Sequence, residues 1–316
     1  MNTHEKQSGS LNKEFPFTGS PNFLEKFRQV ADALKRHQTI LITGEAGAGK
    51  TALAKFLYQH SPLYQKSLRI VRLDEIPLER IEQELFGHAG FEGRIKAADG
   101  GTIILKDILH LPGHLQAKFL RLLEENEFER TGEPGAVRVN LRVIGITSAN
   151  LLQAALENKF RPDLYYQLSA TAIVLAPLRV RIEDIEPISL YYLNRTALQQ
   201  RKNLERISAG ALQTLQNYTW PGNVRELKAE IEQAVATAAP EKQILEIADL
   251  STKVRLQLPQ TNASFSCLSE KLKFLERQMI VEAIALNRGN KSQAAKYLGV
   301  KHRTLYEKMK ALNISF

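Results

Sequence analysis

Cysteine is almost absent: Cys267 is the only one in 316 residues. A disulfide framework and a thiolate zinc site are both excluded, which suits a reducing compartment. Long apolar runs are missing too. No stretch approaches the roughly 18 to 20 residues that cross a bilayer, so a membrane-spanning helix is excluded. The first sixteen residues are polar and charged, without the apolar segment of a secretory signal, and a cytoplasmic protein is expected. The histidines show no metal-ligand spacing beyond His110 and His114, which flank the helix-interrupting Pro112 and Gly113. No constellation for nucleophilic catalysis is evident.

What is present fits a packed protein of two or three domains: 43% apolar and 24% charged residues over this length. The net charge of +9 is unevenly spread, because residues 267 to 316 carry ten Lys or Arg against four Glu and no Asp. Six of the nine net charges thus sit on the last fifty residues, the electrostatic footprint of a nucleic-acid binder. A solvated basic face is the plainer alternative.

The chain reads in sections. Phe23, Phe27, Val30 and Leu34 recur at helical spacing and predict a helix over 21 to 37. TILIT (39 to 43) is a short apolar run, and further runs lie at 69 to 73, 102 to 105 and 141 to 146. Helical patterns fall at about 50 onward, 76 to 86 and 112 to 126. Strands alternating with helices predict an α/β fold, a parallel sheet sandwiched by helices. From 184 to 250 the strand pattern vanishes and an all-helical subdomain is expected. The stretch 251 to 266 has no period and reads as a linker before further helices.

GEAGAGKT, residues 44 to 51, satisfies G-x-x-x-x-G-K-[ST] with an apolar strand before it and a helix after it. Gly44, Gly47 and Gly49 let the backbone curl, so that the N–H groups of Glu45, Ala46, Gly47, Ala48 and Gly49 turn inward on phosphate oxygens. The helix N-terminus adds its positive end. Lys50 reaches terminal phosphates, and the Thr51 hydroxyl is placed to ligate Mg²⁺. ATP or ADP is the expected ligand. A plain strand-to-helix turn is the alternative.

In the tail, Leu272, Leu275, Met279, Val281 and Ile284 predict an amphipathic helix. A short helix over Lys291 to Leu298 follows, capped by Asn290 or Ser292 and ended by Gly299, and then another over His302 to Leu312. On the last, Leu305, Met309 and Leu312 form the core stripe. This is helix-turn-helix spacing, in which the second helix enters the major groove of double-stranded DNA. Lys301, His302, Arg303, Thr304, Tyr306, Glu307 and Lys310 are the candidate contacts. Arg303 suits guanine and Glu307 suits cytosine N4. Lys291, Lys301, Lys308 and Lys310 suit phosphates. A small basic helical bundle is the alternative.

Several stretches together resemble the NtrC-type AAA+ activators of sigma-54 RNA polymerase. They are GEAGAGKT, ELFGH (84 to 88), ADGGTIIL (98 to 105), FLRLLEENEFERTG (119 to 132), FRPDLYYQL (160 to 168), PLRVRIEDI (177 to 185) and WPGNVREL (220 to 227). The tail GNKSQAAKYLGVKHRTLYEKMKALNI resembles the Fis-type helix-turn-helix of the same family. The resemblance implies a polar tail over 1–16, an AAA+ α/β nucleotide-binding subdomain over 17–185 and a helical lid over 186–250. A linker over 251–266 and a DNA-binding domain over 267–316 complete it. It also implies hexamers through the AAA+ part, dimers through the tail, RNA polymerase as partner, Arg161 as an arginine finger in trans, and Arg225 on the nucleotide phosphates.

Three departures qualify these implications. The GAFTGA loop, through which the family pushes on sigma-54, has no counterpart between ELFGH and RIKAADGG. The family's Asp-Glu pair after the third strand is replaced by Lys106 and Asp107. An ammonium at the first position opposes Mg²⁺, while Lys106 can itself neutralise phosphates. Asp107 replaces the missing aspartate only if the strand end slips by one residue or bulges. Gln167 and Ser148 stand where a second arginine and a sensor asparagine are usual. The expectation is a DNA-binding regulator that binds nucleotide, with hydrolysis and sigma-54 contact impaired. The alternative is an active AAA+ ATPase that remodels polymerase, with Asp107 and Arg161 catalytic. With no receiver or sensing domain expected ahead of residue 20, the input signal is expected from elsewhere.

Overall fold

The computed structural model describes residues 39–256, 276, 279–280, 283–284 and 290–312, apart from the Lys310 side chain. The expected polar tail, the helix over 21 to 37, most of the linker, and Leu272, Leu275 and Val281 lie outside the described residues. The chain divides into two compact units, Met1–Tyr191 with Gly222–Ala229, and Tyr192–Pro221 with Glu230–Phe316.

The first unit is built on five parallel strands: β1 (Ile40–Gly44), β2 (Leu68–Arg72), β3 (Thr102–Lys106), β6 (Arg142–Thr147) and β7 (Ala172–Leu175), in the order β2-β3-β6-β1-β7. Strands of a parallel sheet are buried on both faces and so read as unbroken apolar runs. Ile40, Leu41 and Ile42 are at most 2% exposed, and every residue of β6 is buried. At the sheet's edge β7 alternates instead, with Ile173 and Leu175 buried and Ala172 and Val174 exposed. That half-solvated, four-residue strand escaped the sequence reading, although TAIVLAP is an apolar run bounded by turns.

Helices cover the faces: α1 (Lys50–Gln59), α2 (Leu78–Phe86), α3 (Gly113–Glu125), α4 (Leu151–Leu156) and α5 (Pro162–Ser169). Ile103 and Leu105 of β3 pack with Phe86, Leu115, Phe119, Leu164 and Leu168 in one apolar layer. Ile104 points to the other side, the side of α1, because strand side chains alternate. A short antiparallel ribbon, β4 (Glu127–Glu129) with β5 (Ala136–Arg138), follows α3. After α2 the chain reverses within four residues: His88 and Phe91 exchange N–H···O bonds of 3.0 and 2.8 Å. A Cβ on Gly87, at φ +82°, would stand 2.4 Å from the Phe91 carbonyl oxygen, so this turn requires glycine there. It is the place at which the family's surface loop was expected and not found in the sequence. The helix α6 (Ile185–Gln200) follows β7 and two short 3₁₀ turns.

The second unit holds α7 (Ala209–Asn217), α9 (Thr252–Arg255) and the part of α8 (Asn223–Thr237) beyond Ala229. It is not purely helical, since β8 (Arg206–Ile207) pairs in parallel with β9 (Ile244–Leu245). Two-residue strands carry no periodicity, so the all-helical expectation missed them. Trp220 is fully buried and donates its indole N–H to the Leu215 carbonyl at 2.7 Å. Lys202 closes the end of α8, donating from Nζ to the carbonyls of Val235, Ala236 and Ala238 at 2.7, 2.7 and 2.8 Å. A cation there satisfies orphan carbonyls and complements the helix dipole. Lys202→Met is expected to lower unfolding stability by about 1–2 kcal/mol in urea denaturation. An unchanged midpoint would show the cap to be dispensable.

The same unit contains α10 (Lys291–Tyr297) and α11 (His302–Ala311). The Asn290 side chain caps α10 by accepting from the N–H groups of Ser292 and Gln293, both at 3.1 Å. Gly299, at φ +68°, lets the chain leave α10. Ala294, Ala295, Leu305 and Met309 are buried together with Ile280, Ala283 and Ile284, and Leu312 packs against them.

Candidate functional site

Three strand ends meet at one place. The registers Thr43↔Thr147 and Lys106↔Ile146 put the carboxyl ends of β1, β6 and β3 in a row. β7 flanks β1 on one side and the remaining strands lie on the other, the arrangement that opens a binding crevice at strand carboxyl ends. The glycine loop rises from this row. Gly44, Gly47 and Gly49 have φ of +145°, +76° and +103°, and α1 starts at Lys50. Thr51 is half-buried in the first turn.

Lys50 is buried, and its three donors are met by Gly44 O at 2.7 Å, Glu45 O at 2.8 Å and Ser148 Oγ at 2.9 Å. Burial pushes its pKa down; the Asp107 carboxylate opposes that, while Arg225 and Lys106 reinforce it. Ser148, one residue beyond β6, is thus brought to the loop lysine by the strand register. An anion entering the loop would exchange these neutral acceptors for charged ones, which hold an ammonium more strongly.

Further groups fix the loop from outside. Glu45 accepts from both terminal nitrogens of Arg179, at 2.6 and 2.8 Å, and from Asn223 Nδ2 at 3.1 Å. The Arg179 hydrogen bonds, followed by that of Asn223, pull its carboxyl down to about 2. Asn223 also donates to Ala46 O at 3.1 Å and accepts from the Leu178 N–H at 2.7 Å. Arg181 donates to Ala48 O at 2.6 Å and pairs with buried Asp184 at 3.2 Å. Burial pushes Asp184 up to about 6. The Arg225 N–H donates to Gly47 O at 3.2 Å. Sequence reasoning chose Arg225 from this set and passed over Arg179, Arg181 and Asn223. Their signal was present in PLRVRIEDI and WPGNVREL, but nothing in spacing tells which arginine of a run faces the loop.

Lys106 is the last residue of an unbulged strand, paired to Arg72 on one side and Ile146 on the other. With no slip, it shares the α1 face with Ile104, and its ammonium makes no hydrogen bond or ion pair among the described residues. Asp107 leaves the strand in the left-handed region, at φ +58° and ψ +52°. The strand end is neither slipped nor bulged, yet the Asp107 carboxylate is the strongest charge acting on Lys50. Arg161 stands apart from the loop's contacts: it is 46% exposed and pairs with Asp163 at 2.6 Å.

In the tail, Lys301, His302, Arg303, Tyr306 and Glu307 are exposed and Thr304 is half-buried. Arg303 Nε donates to Glu307 at 3.0 Å, so these two side chains meet each other in the free chain. Lys291 lies 5.7 Å from the centre of the Tyr306 ring, while Lys308 is paired with Glu276. The side chain of Lys310 lies outside the described residues.

A glycine loop on the inner strand of a five-stranded parallel sheet, followed by a helical subdomain and a helix-turn-helix, defines a P-loop AAA+ fold joined to a regulator tail. Comparison with known proteins agrees. Residues 17–174 match the Sigma-54 interaction domain, 179–266 the AAA+ ATPase lid domain, and 271–312 the Bacterial regulatory protein, Fis family. The chain is 35% identical over 287 residues to Nitrogen fixation protein AnfA of Azotobacter vinelandii, covering 88% of this chain and 54% of that one. It is 31% identical to Regulatory protein AtoC of Escherichia coli, covering 98% and 70%. Among solved structures it is similar to NtrX from Brucella abortus in complex with ATP, at a TM-score of 0.70 and 28% identity, covering 93% and 69%. The chain belongs to the sigma-54 interaction domain family of transcription regulators. It spans about half the length of the first curated relatives it matches.

Proposed function

We propose that this chain is a cytoplasmic, sequence-specific DNA-binding regulator whose AAA+ module binds ATP or ADP and responds to occupancy rather than turnover. The observation that carries this reading is the row of strand ends: a complete phosphate cradle around Lys50 beside a third strand that ends in Lys106. Gly44 through Thr51 supply the cradle, with Arg225 set against it. The NtrX structures with ATP and with ADP support nucleotide as ligand. Hydrolysis needs a carboxylate that orients water beside a metal-bound phosphate. Here Asp107, one methylene shorter than the family's glutamate, is the only carboxylate at the end of β3, and Arg161 is held by Asp163. Both are the groups that an active enzyme would have to use.

The tail supplies the second anion site. His302, Arg303, Tyr306 and Glu307 face solvent on α11, beside exposed Lys301 and half-buried Thr304, the side a major groove would meet. Two copies joined through the tail would read a roughly palindromic site, and the AAA+ part is a candidate for hexamers. The four-residue turn at His88–Phe91 leaves no loop of GAFTGA type, so polymerase contact, if made, uses another surface.

Steady-state phosphate release separates the readings. Wild type and Lys50→Ala are expected to release phosphate at the same background rate. Release at a family-like rate that Lys50→Ala abolishes would establish the active ATPase instead.

A further inference from the structure

The nucleotide pocket has a feature that bears on its metal. In P-loop proteins Mg²⁺ is held by the loop hydroxyl and an aspartate at the end of a neighbouring strand. The loop hydroxyl is here as Thr51, but the residues around it do not suit a divalent cation. The charged side chains that act most strongly on Lys50 are Asp107, Arg225, Lys106 and Glu45. Of the two carboxylates, Glu45 is committed to Arg179 and Asn223 at 2.6 to 3.1 Å. That leaves Asp107 alone, on backbone turned into the left-handed region.

Against this stands an uncompensated cation. Lys106 ends β3 in regular register, on the sheet face that α1 covers, and its ammonium has no partner among the described residues. Of the other cations near the loop, Lys50 is engaged with three oxygens and Arg179 with Glu45, whereas the exposed Arg225 guanidinium, like Lys106, is left for a ligand. An ammonium with no protein partner is free to take a ligand, and a polyphosphate is the ligand that would engage it with charge-assisted hydrogen bonds. A divalent cation beside it would meet repulsion instead.

We propose that the pocket takes ATP or ADP as the metal-free polyphosphate, with the Lys106 ammonium supplying the positive charge that Mg²⁺ supplies in related sites. The proposal rests on the nucleotide-binding reading above and narrows it to one ionic form of the ligand. It also gives that reading a physical basis for slow turnover. A tethered ammonium neutralises charge but offers no coordination shell to align the γ-phosphate with water.

The test is nucleotide affinity of the whole 316-residue chain, measured by isothermal titration with ATP and with ADP, in EDTA and in excess MgCl₂. Wild type is expected to bind in EDTA at least as tightly as in MgCl₂. Lys106→Gln is expected to weaken binding in EDTA by about tenfold or more, the loss of one charge-assisted contact. Lys106→Asp is expected to bind only when Mg²⁺ is present, and circular dichroism melts establish that each variant folds. Wild type that binds in MgCl₂ and not in EDTA overturns the inference and leaves nucleotide binding intact. Wild type that binds in neither condition overturns the nucleotide reading itself.

Discussion

Gly47→Ala is expected to abolish nucleotide binding and to destabilise the first unit by about 2–4 kcal/mol. Gly47 sits at φ +76°, where a side chain strains the backbone. An added Cβ would also stand 2.2 Å from the Gly222 carbonyl oxygen and 3.2 Å from the Arg225 Cβ. The nearer obstacle is backbone, with no flexible side-chain end to swing away. Relief requires the loop to part from the 222–225 segment, and that breaks the hydrogen bonds from Arg225 N–H to Gly47 O and from Asn223 to Ala46 O. The amide nest would lose its shape along with its support. Gly113→Ala is the matched control, because Gly113 begins α3 with no atom within 4 Å of an added Cβ. Its stability is expected to be unchanged or slightly raised. Denaturation midpoints and nucleotide titrations of the two variants check both halves, and a Gly47→Ala chain that binds nucleotide normally would refute the loop geometry.

The residues that made the fold legible are those whose neighbours in sequence are also neighbours in space. TILIT followed by GEAGAGKT predicted the strand, the loop and the start of α1, and the structure has β1 over Ile40–Gly44 and α1 from Lys50. The runs at 102 to 105 and 141 to 146 correspond to β3 and β6 within a residue. The tail was equally plain, since Asn290, Gly299 and the stripe Leu305, Met309, Leu312 are local signals of helix ends and of one buried face. What the sequence hid is long-range. The order β2-β3-β6-β1-β7 places Ser148 on Lys50 across 98 positions, and Arg179 on Glu45 across 134. No spacing rule reaches that far. Lys106 was legible as an oddity; that it faces α1 from an unbulged strand needed the register.

DNA binding by the full chain is expected to fall about a thousandfold between 50 and 200 mM monovalent salt. The estimate follows from the tail. Lys291, Lys301 and Lys310 are assigned to phosphates, whereas Lys308 is paired with Glu276 and is left out. Two copies on a palindromic site give about six phosphate contacts, and so a log–log slope near −5. Lys301→Ala is expected to reduce that slope by about one per copy and to weaken all sequences alike, whereas Arg303→Ala should weaken the preferred site selectively. Glu307 first has to release Arg303, so Glu307→Gln is expected to change which base is preferred more than it changes the slope. Affinity insensitive to salt would remove double-stranded DNA as the partner of this surface.

Nucleotide held at Lys50 without being consumed is the claim on which the rest depends, and a single-turnover experiment addresses it most directly. The full chain, in excess over radiolabelled ATP, is incubated for many minutes, and the bound nucleotide is then recovered and identified. The account predicts intact ATP, retained by wild type and lost from Lys50→Ala. Recovery of ADP with stoichiometric free phosphate, dependent on Lys50, would contradict it.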